Sequence, residues 1–335
     1  MGINSNQAKP RGTLKILWEG LKLPYNNLAL LHPILLLSFL SSSLVFLASN
    51  LCLTPLLLDL TTKSSLAANT DPESPEFSLL LTAVLKDLKE VRLVEAVVLV
   101  ISFVVKSLVA TATVDVLSTA YSSKTPSSNL KEVFSTLSWP LIKRCMITQV
   151  YAALVNLGCI LVVGLTAVVL SFSFTYYYYS SSSRSYAALM VILAIVAAVL
   201  EFYLYFYLLM VVNTSVVVSV VEEGCYGLEA IAKASKLLRG GRRQAIRIAL
   251  LELAVAEVFY GVYKLGTARA APVGTARLAL GFGQVAVGVV VSVLTWSVQT
   301  VYYYECSAGH AEEGIVTEGG FEYNPLPTQV NEALL

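Results

Sequence analysis

Charged residues are scarce in this chain: Asp, Glu, Lys and Arg make up 13% of its 335 residues, against about 25% in an ordinary soluble domain. So few charges cannot clothe a molecule made for water. Lys and Arg exceed Asp and Glu by only one residue. Neutralising a phosphate backbone takes a clustered basic excess, so nucleic acid is not an expected partner. Histidine occurs twice, at His32 and His310, which excludes a histidine-rich metal site. There is no Walker loop, no G-x-S-x-G elbow and no H-E-x-x-H motif. The five cysteines, Cys52, Cys145, Cys159, Cys225 and Cys306, are odd in number, widely scattered and without C-x-x-C spacing, which reads as reduced packing residues. No cofactor and no catalytic centre are expected.

Long apolar runs are what the chain has instead, and they far exceed the roughly 18 residues that mark a membrane span. The first span runs from about Leu28 to Leu53, with Pro33 in its first turns and Pro55 closing it. The second covers about Leu93 to Ala120, the third Cys145 to about Ser171, and the fourth begins near Tyr186, its apolar character persisting to Val221. The fifth, Ala245 to Leu265, is the most polar because Arg247, Glu252 and Glu257 fall within it, and the sixth runs from Leu278 to Tyr304. This predicts an all-α polytopic bundle of about six transmembrane helices, with residues 28–304 as the membrane domain. Short amphipathic helices flank the spans. Leu14, Leu17, Trp18 and Leu21 recur at helical spacing before Pro24, inside an N-terminal segment of residues 1–27. Leu80, Val84 and Leu88 repeat the pattern before the second span, and Leu228, Ile231, Ala234 and Leu238 before Gly240-Gly241. Thr61 to Ser78, with two prolines among its acids, is expected to be a loop.

Orientation follows from Lys and Arg on alternate sides of the spans. The side holding both termini, the loop with Lys124, Lys131, Lys143 and Arg144, and the cluster from Lys233 to Arg247 carries fourteen, against eight on the other. Both termini are therefore expected in the cytosol, in an endomembrane such as the endoplasmic reticulum or in the plasma membrane. The tail, residues 305–335, has six glutamates and neither Lys nor Arg, and is expected to be disordered. Phe321, Tyr323, Pro325 and Leu326 gather there as a candidate motif for a cytosolic protein.

Intramembrane charge is costly, about 2.5–3.5 kcal/mol for a Lys or Asp at a span centre. In the second span Glu95, Ser102, Lys106 and Thr113 recur at intervals of seven, four and seven, along one helix face. That stripe reads either as a hydrophilic pathway or as part of a static bundle in which Lys106 pairs with Glu201, Glu252 or Glu257. Asp115 lies about half a turn away from it and marks the cytosolic end. Glu252 and Glu257 are five residues apart and well separated in angle, which does not make a paired-carboxylate centre. In the last span Gly281, Gly288, Ser292 and Thr295 form a small-residue face for close helix approach, which Gln299 extends with an interhelical hydrogen bond. Arg239, Arg242 and Arg243 would sit beside lipid headgroups, each worth about 1 kcal/mol near anionic lipid. The lipid bilayer is the one partner the composition demands.

Four short segments carry a resemblance: Leu17-Trp18-Glu19-Gly20-Leu21-Lys22, Trp139-Pro140-Leu141-Ile142-Lys143-Arg144, Val220-Val221-Glu222-Glu223-Gly224-Cys225-Tyr226-Gly227-Leu228-Glu229-Ala230-Ile231, and Glu322-Tyr323-Asn324-Pro325-Leu326. They resemble a plant family of uncharacterised six-span transmembrane proteins. The stretch ending in Leu237-Leu238-Arg239-Gly240-Gly241-Arg242 is also similar to the membrane domain beside some bacterial glycerophosphodiester phosphodiesterases, whose catalytic partner has no counterpart in this sequence. Both resemblances imply topology and no established activity. The expected function is a non-enzymatic scaffold or endomembrane-organising component, with a transporter or channel lined around Lys106 as the alternative.

Overall fold

The computed structural model describes residues 12–122, 138–180, 184–267 and 275–312, and these form eight helices. They are α1 (Thr13–Asn26), α2 (Leu28–Ala68), α3 (Pro75–Ser122), α4 (Trp139–Ser180), α5 (Arg184–Val221), α6 (Leu228–Leu238), α7 (Arg242–Thr267) and α8 (Thr275–Glu312). Five of them, α2, α3, α4, α5 and α8, are long and apolar enough to cross a membrane. The expected fifth span lies inside α7, whose 26 residues reach about 39 Å at ~1.5 Å each but carry charges at both ends and between. The chain is thus a membrane helix bundle.

The helices outrun their expected limits for local reasons. Pro55 does not end α2, which continues to Ala68; the ring removes one ladder bond, to the Leu51 carbonyl, while the turns on either side persist. The expected loop therefore shrinks to 69–74. Ser74 Oγ accepts the Phe77 N–H at 3.2 Å and Pro75 opens α3, a capped start with proline where its missing N–H costs nothing. The amphipathic segment around Leu80 and the second span then fuse into one 48-residue helix. At about 70 Å it exceeds the roughly 30 Å hydrocarbon core twofold. Lys63 ties α2 to α3, bridging Asp59 of its own helix and Asp87 of α3 at 2.7 Å each. At the chain's end α8 runs through Glu305 to Glu312, so the first eight residues of the expected disordered tail are helical; Phe321, Tyr323, Pro325 and Leu326 lie outside the described residues.

Packing is concentrated at one end of the bundle. The buried core gathers Val114 and Leu117 of α3, Leu141 and Cys145 of α4, Met210 to Val220 of α5, all of α6's inner face, Ala245 to Ala249 of α7 and Val298 to Tyr303 of α8. Tyr121 stacks on Tyr304 with ring centroids 5.0 Å apart, joining the C-terminal ends of α3 and α8. Toward the opposite end the α4–α5 hairpin stands exposed, with Leu161, Leu165, Phe172, Val199 and Leu200 all more than half accessible. Lipid is the solvent that suits such a surface.

The amphipathic helix α1 is held against the bundle, a contact that its pattern alone does not show. It docks on α8 through Gly20, where an added Cβ would stand 2.7 Å from Val298 Cγ2 and 2.8 Å from Val298 Cα, and it buries Ile16 and Pro24 beside that contact. Its other face leaves Leu14, Trp18 and Tyr25 at least two-thirds exposed. The small-residue face of α8 works the same way toward other helices. Gly281 takes the ring of Phe46 from α2 and Gly288 takes Tyr260 from α7, while Gly283, on another side of α8, takes Tyr263. Tyr263 Oη also donates to the Leu280 carbonyl.

Candidate functional site

Three helices meet at Gln299, which is fully buried on α8. Its Nε2 donates to both carboxylate oxygens of Glu252 on α7, at 3.0 and 3.1 Å, and contacts Met210 Sδ on α5 at 3.1 Å. Its Oε1 accepts from Thr214 Oγ1, also on α5, at 3.4 Å. The amide is thereby oriented from both sides, and the interhelical role expected of Gln299 is the one it plays. Beside Glu252 is a cavity of about 10 Å³, lined by Leu17 and Leu21 of α1, Val255 of α7 and Val291, Leu294 and Val298 of α8. It has room for a single water.

A second polar seam joins α3, α4 and the turn between α5 and α6. Ser107 Oγ donates to Gln149 Oε1 at 2.5 Å, and Gln149 Nε2 donates to Cys145 Sγ at 3.4 Å. One turn along α4, buried Thr148 accepts the backbone N–H of Gly227 at 2.8 Å. Gly224 and Gly227 have φ of +85° and +63°, conformations open to glycine, so the Glu222-Glu223-Gly224-Cys225-Tyr226-Gly227 turn folds back onto the bundle. Glu222 anchors it, accepting from Tyr303 Oη at 2.8 Å and pairing with Lys233 of α6. Burial, then the Glu222 carboxylate, pushes the neighbouring Cys225 thiol above its ordinary value.

The structure does not assemble the stripe along α3 into one lining. Glu95 and Lys106 are exposed, Ser102 is half-buried and Thr113 is buried, bonded back to the Val109 carbonyl. One helix face passes through different surroundings because neighbours pack against α3 mainly near its C-terminal end. Nor does Lys106 reach the acids offered as partners. Among the described residues no ion pair joins it to Glu201, Glu252 or Glu257; Glu252 is engaged by Gln299, Glu257 is exposed and Glu201 half-buried. Asp115 is half-buried one turn from Ser118, whose Oγ donates to its carbonyl. The residues that do bridge helices, Ser107, Thr148, Gln149 and Thr214, carry no mark in the sequence, because uncharged side chains in an apolar run give no signal of their partners.

At the packed end, Arg239, Arg242 and Arg243 are exposed together on the α6–α7 turn. The Arg242 guanidinium lies 5.7 Å over the Tyr207 ring, a cation–π contact that fixes its position. Trp18 of α1, Trp139 of α4 and Tyr226 and Leu228 before and in α6 are exposed at the same end, 68%, 73%, 45% and 59% accessible, as an interfacial aromatic belt requires.

Long apolar helices, a core closed at one end and polar side chains turned on one another define an integral membrane helix bundle. The chain belongs to the family described as Domain of unknown function (DUF8558), matched over residues 1–316. No curated protein and no solved structure matches it.

Proposed function

We propose that this protein is a non-enzymatic scaffold that organises its membrane, crossing it six times with α7 as the fifth span and holding both termini in the cytosol of an endoplasmic reticulum or plasma membrane. The observation that carries the reading is the use made of buried polarity. Ser107 with Gln149, Thr148 with the Gly227 amide, and Glu252 and Thr214 with Gln299 each tie one element to another. Polar groups spent on cross-links hold a framework rigid, whereas a passage needs them facing water. Glu95 and Lys106, the charges that would line a pathway, lie on the outside. The test is reconstitution of the purified protein in liposomes: stable stoichiometric protein partners with no solute or ion movement are expected, and flux above that of protein-free vesicles would refute the proposal.

One observation favours a transporter instead, namely the Glu252 carboxylate beside a water-sized cavity. On that reading the Glu252→Gln variant abolishes a flux that the Lys106→Ala variant retains, which is the opposite of what a pathway along the α3 stripe requires.

A further inference from the structure

We propose that the cavity beside Glu252 is a binding site for one small monovalent cation, closed by the amphipathic helix α1. A cation can be held without being carried, so this site stands or falls apart from either functional reading above. A charge without a counter-charge lies at its centre. Glu252 is half-buried, and among the described residues its partner is the Gln299 amide and no cation. The nearest cation along α7, Arg247, is exposed, and its Nε donates to the Arg243 carbonyl of its own helix at 3.2 Å. A carboxylate withdrawn from water is costly unless positive charge compensates it. The Gln299 amide is neutral, and its one nitrogen occupies about two of the four lone-pair positions on the carboxylate. Room for a positive partner remains.

The cavity supplies the place. Its volume of about 10 Å³ suits one water-sized particle, so no organic ligand fits. A proton would need no cavity at all. Beside Glu252 the lining holds one other polar side chain, Thr295 of α8, and is otherwise aliphatic. Thr295 lies one turn before Gln299 and on the same helix face. Thr111, Thr113, Thr148 and Thr300 each donate the hydroxyl to a carbonyl one turn back in their own helix. Thr295 makes no side-chain hydrogen bond among the described residues, which leaves its oxygen for the cavity.

A carboxylate and a hydroxyl are oxygen ligands of the kind hard cations take. A divalent ion is poorly served here, because calcium needs roughly six to eight oxygens and magnesium a near-octahedral set, whereas one carboxylate balances one positive charge. Because Glu252 is half-buried and not sealed, water can complete the shell of a monovalent ion. The cover is α1. Leu17 and Leu21 lie on the lining, and Gly20 between them gives the close approach to Val298, itself a lining residue. Exchange of the ion is thus controlled by the docking of α1.

The experiment treats the full chain in detergent with dicyclohexylcarbodiimide, which attacks a protonated carboxyl group and not a carboxylate paired with an ion, and locates the adduct by mass spectrometry. Choline chloride, whose cation is too large for the cavity, is replaced by sodium chloride at constant ionic strength. Sodium is expected to slow modification of Glu252 about tenfold, the size of one charge-assisted contact, and to leave the exposed Glu257 unchanged. Thr295→Val should lose most of that protection and Thr295→Ser keep it, while Gly20→Leu should speed modification in choline. Unchanged gel-filtration behaviour checks that each variant is folded. Equal rates at Glu252 in the two salts overturn the proposal and leave a cavity for water alone. Glu252 unmodified in both salts, in the parent and in Gly20→Leu, overturns it as well, because a site that nothing enters exchanges no ion. Protection that survives in Thr295→Val overturns the placement of the ion in this cavity.

Discussion

Gln299 on α8 and Glu252 on α7 share two hydrogen bonds, at 3.0 and 3.1 Å, from a single amide nitrogen. Removing the amide alone leaves a carboxylate among apolar side chains, whereas removing both removes the problem with its solution. The Gln299→Leu variant is expected to lose about 2 kcal/mol of stability. Glu252→Leu with Gln299→Leu should recover most of it. Thermal unfolding in detergent, followed by gel filtration, measures this; a double variant no better than the single one would show that the two side chains do not act as a pair.

Gly20 fixes α1 to the bundle, since a side chain there would overlap the backbone of Val298 and not merely a movable tip. Gly20→Leu should therefore lift α1 away while the rest of the bundle stays folded. A cysteine placed at Ile16, which is 1% exposed, would be protected from a maleimide in the parent and labelled when Gly20→Leu is added. Equal protection in both means that α1 is held by other contacts.

Lys106 and Ser107 are adjacent in sequence and opposite in environment. Lys106 is exposed on the outer face of α3, and Ser107 is fully buried against Gln149. Lys106→Leu should leave the thermal midpoint unchanged or raise it, because a lipid-facing surface accepts leucine better than an ammonium. Ser107→Leu should lower it, both by overpacking, typically about 1–3 kcal/mol, and by stranding the Gln149 carbonyl. The reverse ranking would mean that Lys106 faces a partner inside the folded protein.

Cys225 offers a pH-dependent readout of the anchored turn. Its pKa is raised first by burial and next by Glu222, while Lys233 lowers it. Since the thiolate is the reactive form, labelling at neutral pH should be slow and should accelerate as the pH rises. Glu222→Gln removes the second cause and leaves Lys233, so the rate profile should move to lower pH. Maleimide kinetics across pH, with the other four cysteines replaced by alanine, check this; a faster rate at every pH with an unmoved midpoint would indicate only loosening of the turn.

Topology follows from the positive-inside bias. Tags at Gly2 and Leu335 should be digested by protease added outside sealed, cytosolic-face-out vesicles, and one inserted at Ser74 protected. Protection of either terminus would invert the proposed orientation and move the α6–α7 turn to the other leaflet.

Composition was enough to settle the solvent, because apolar runs longer than a bilayer with so few charges admit only helices whose backbone bonds close within the chain. Spacing also marked Gly240-Gly241 as the break between α6 and α7, and the small-residue face of α8 that receives Phe46 and Tyr260. Each of these is a local property, written within one segment. Which side chain meets which could be read only from the packed helices. Glu95, Ser102, Lys106 and Thr113 share a helical face, yet that face runs from open surface into a packed core, since neighbouring helices converge at one end. Glu252 was visible as an acid within a span, but its partner proved to be Gln299, 47 positions away, and not Lys106. Tyr302 is one of three tyrosines at the end of a span, and nothing in that run shows that its hydroxyl lies under Gly241. Helical periodicity fixes the angle of a side chain around its own axis; its partner depends on how axes cross, and that is set by shape complementarity between segments far apart in the chain.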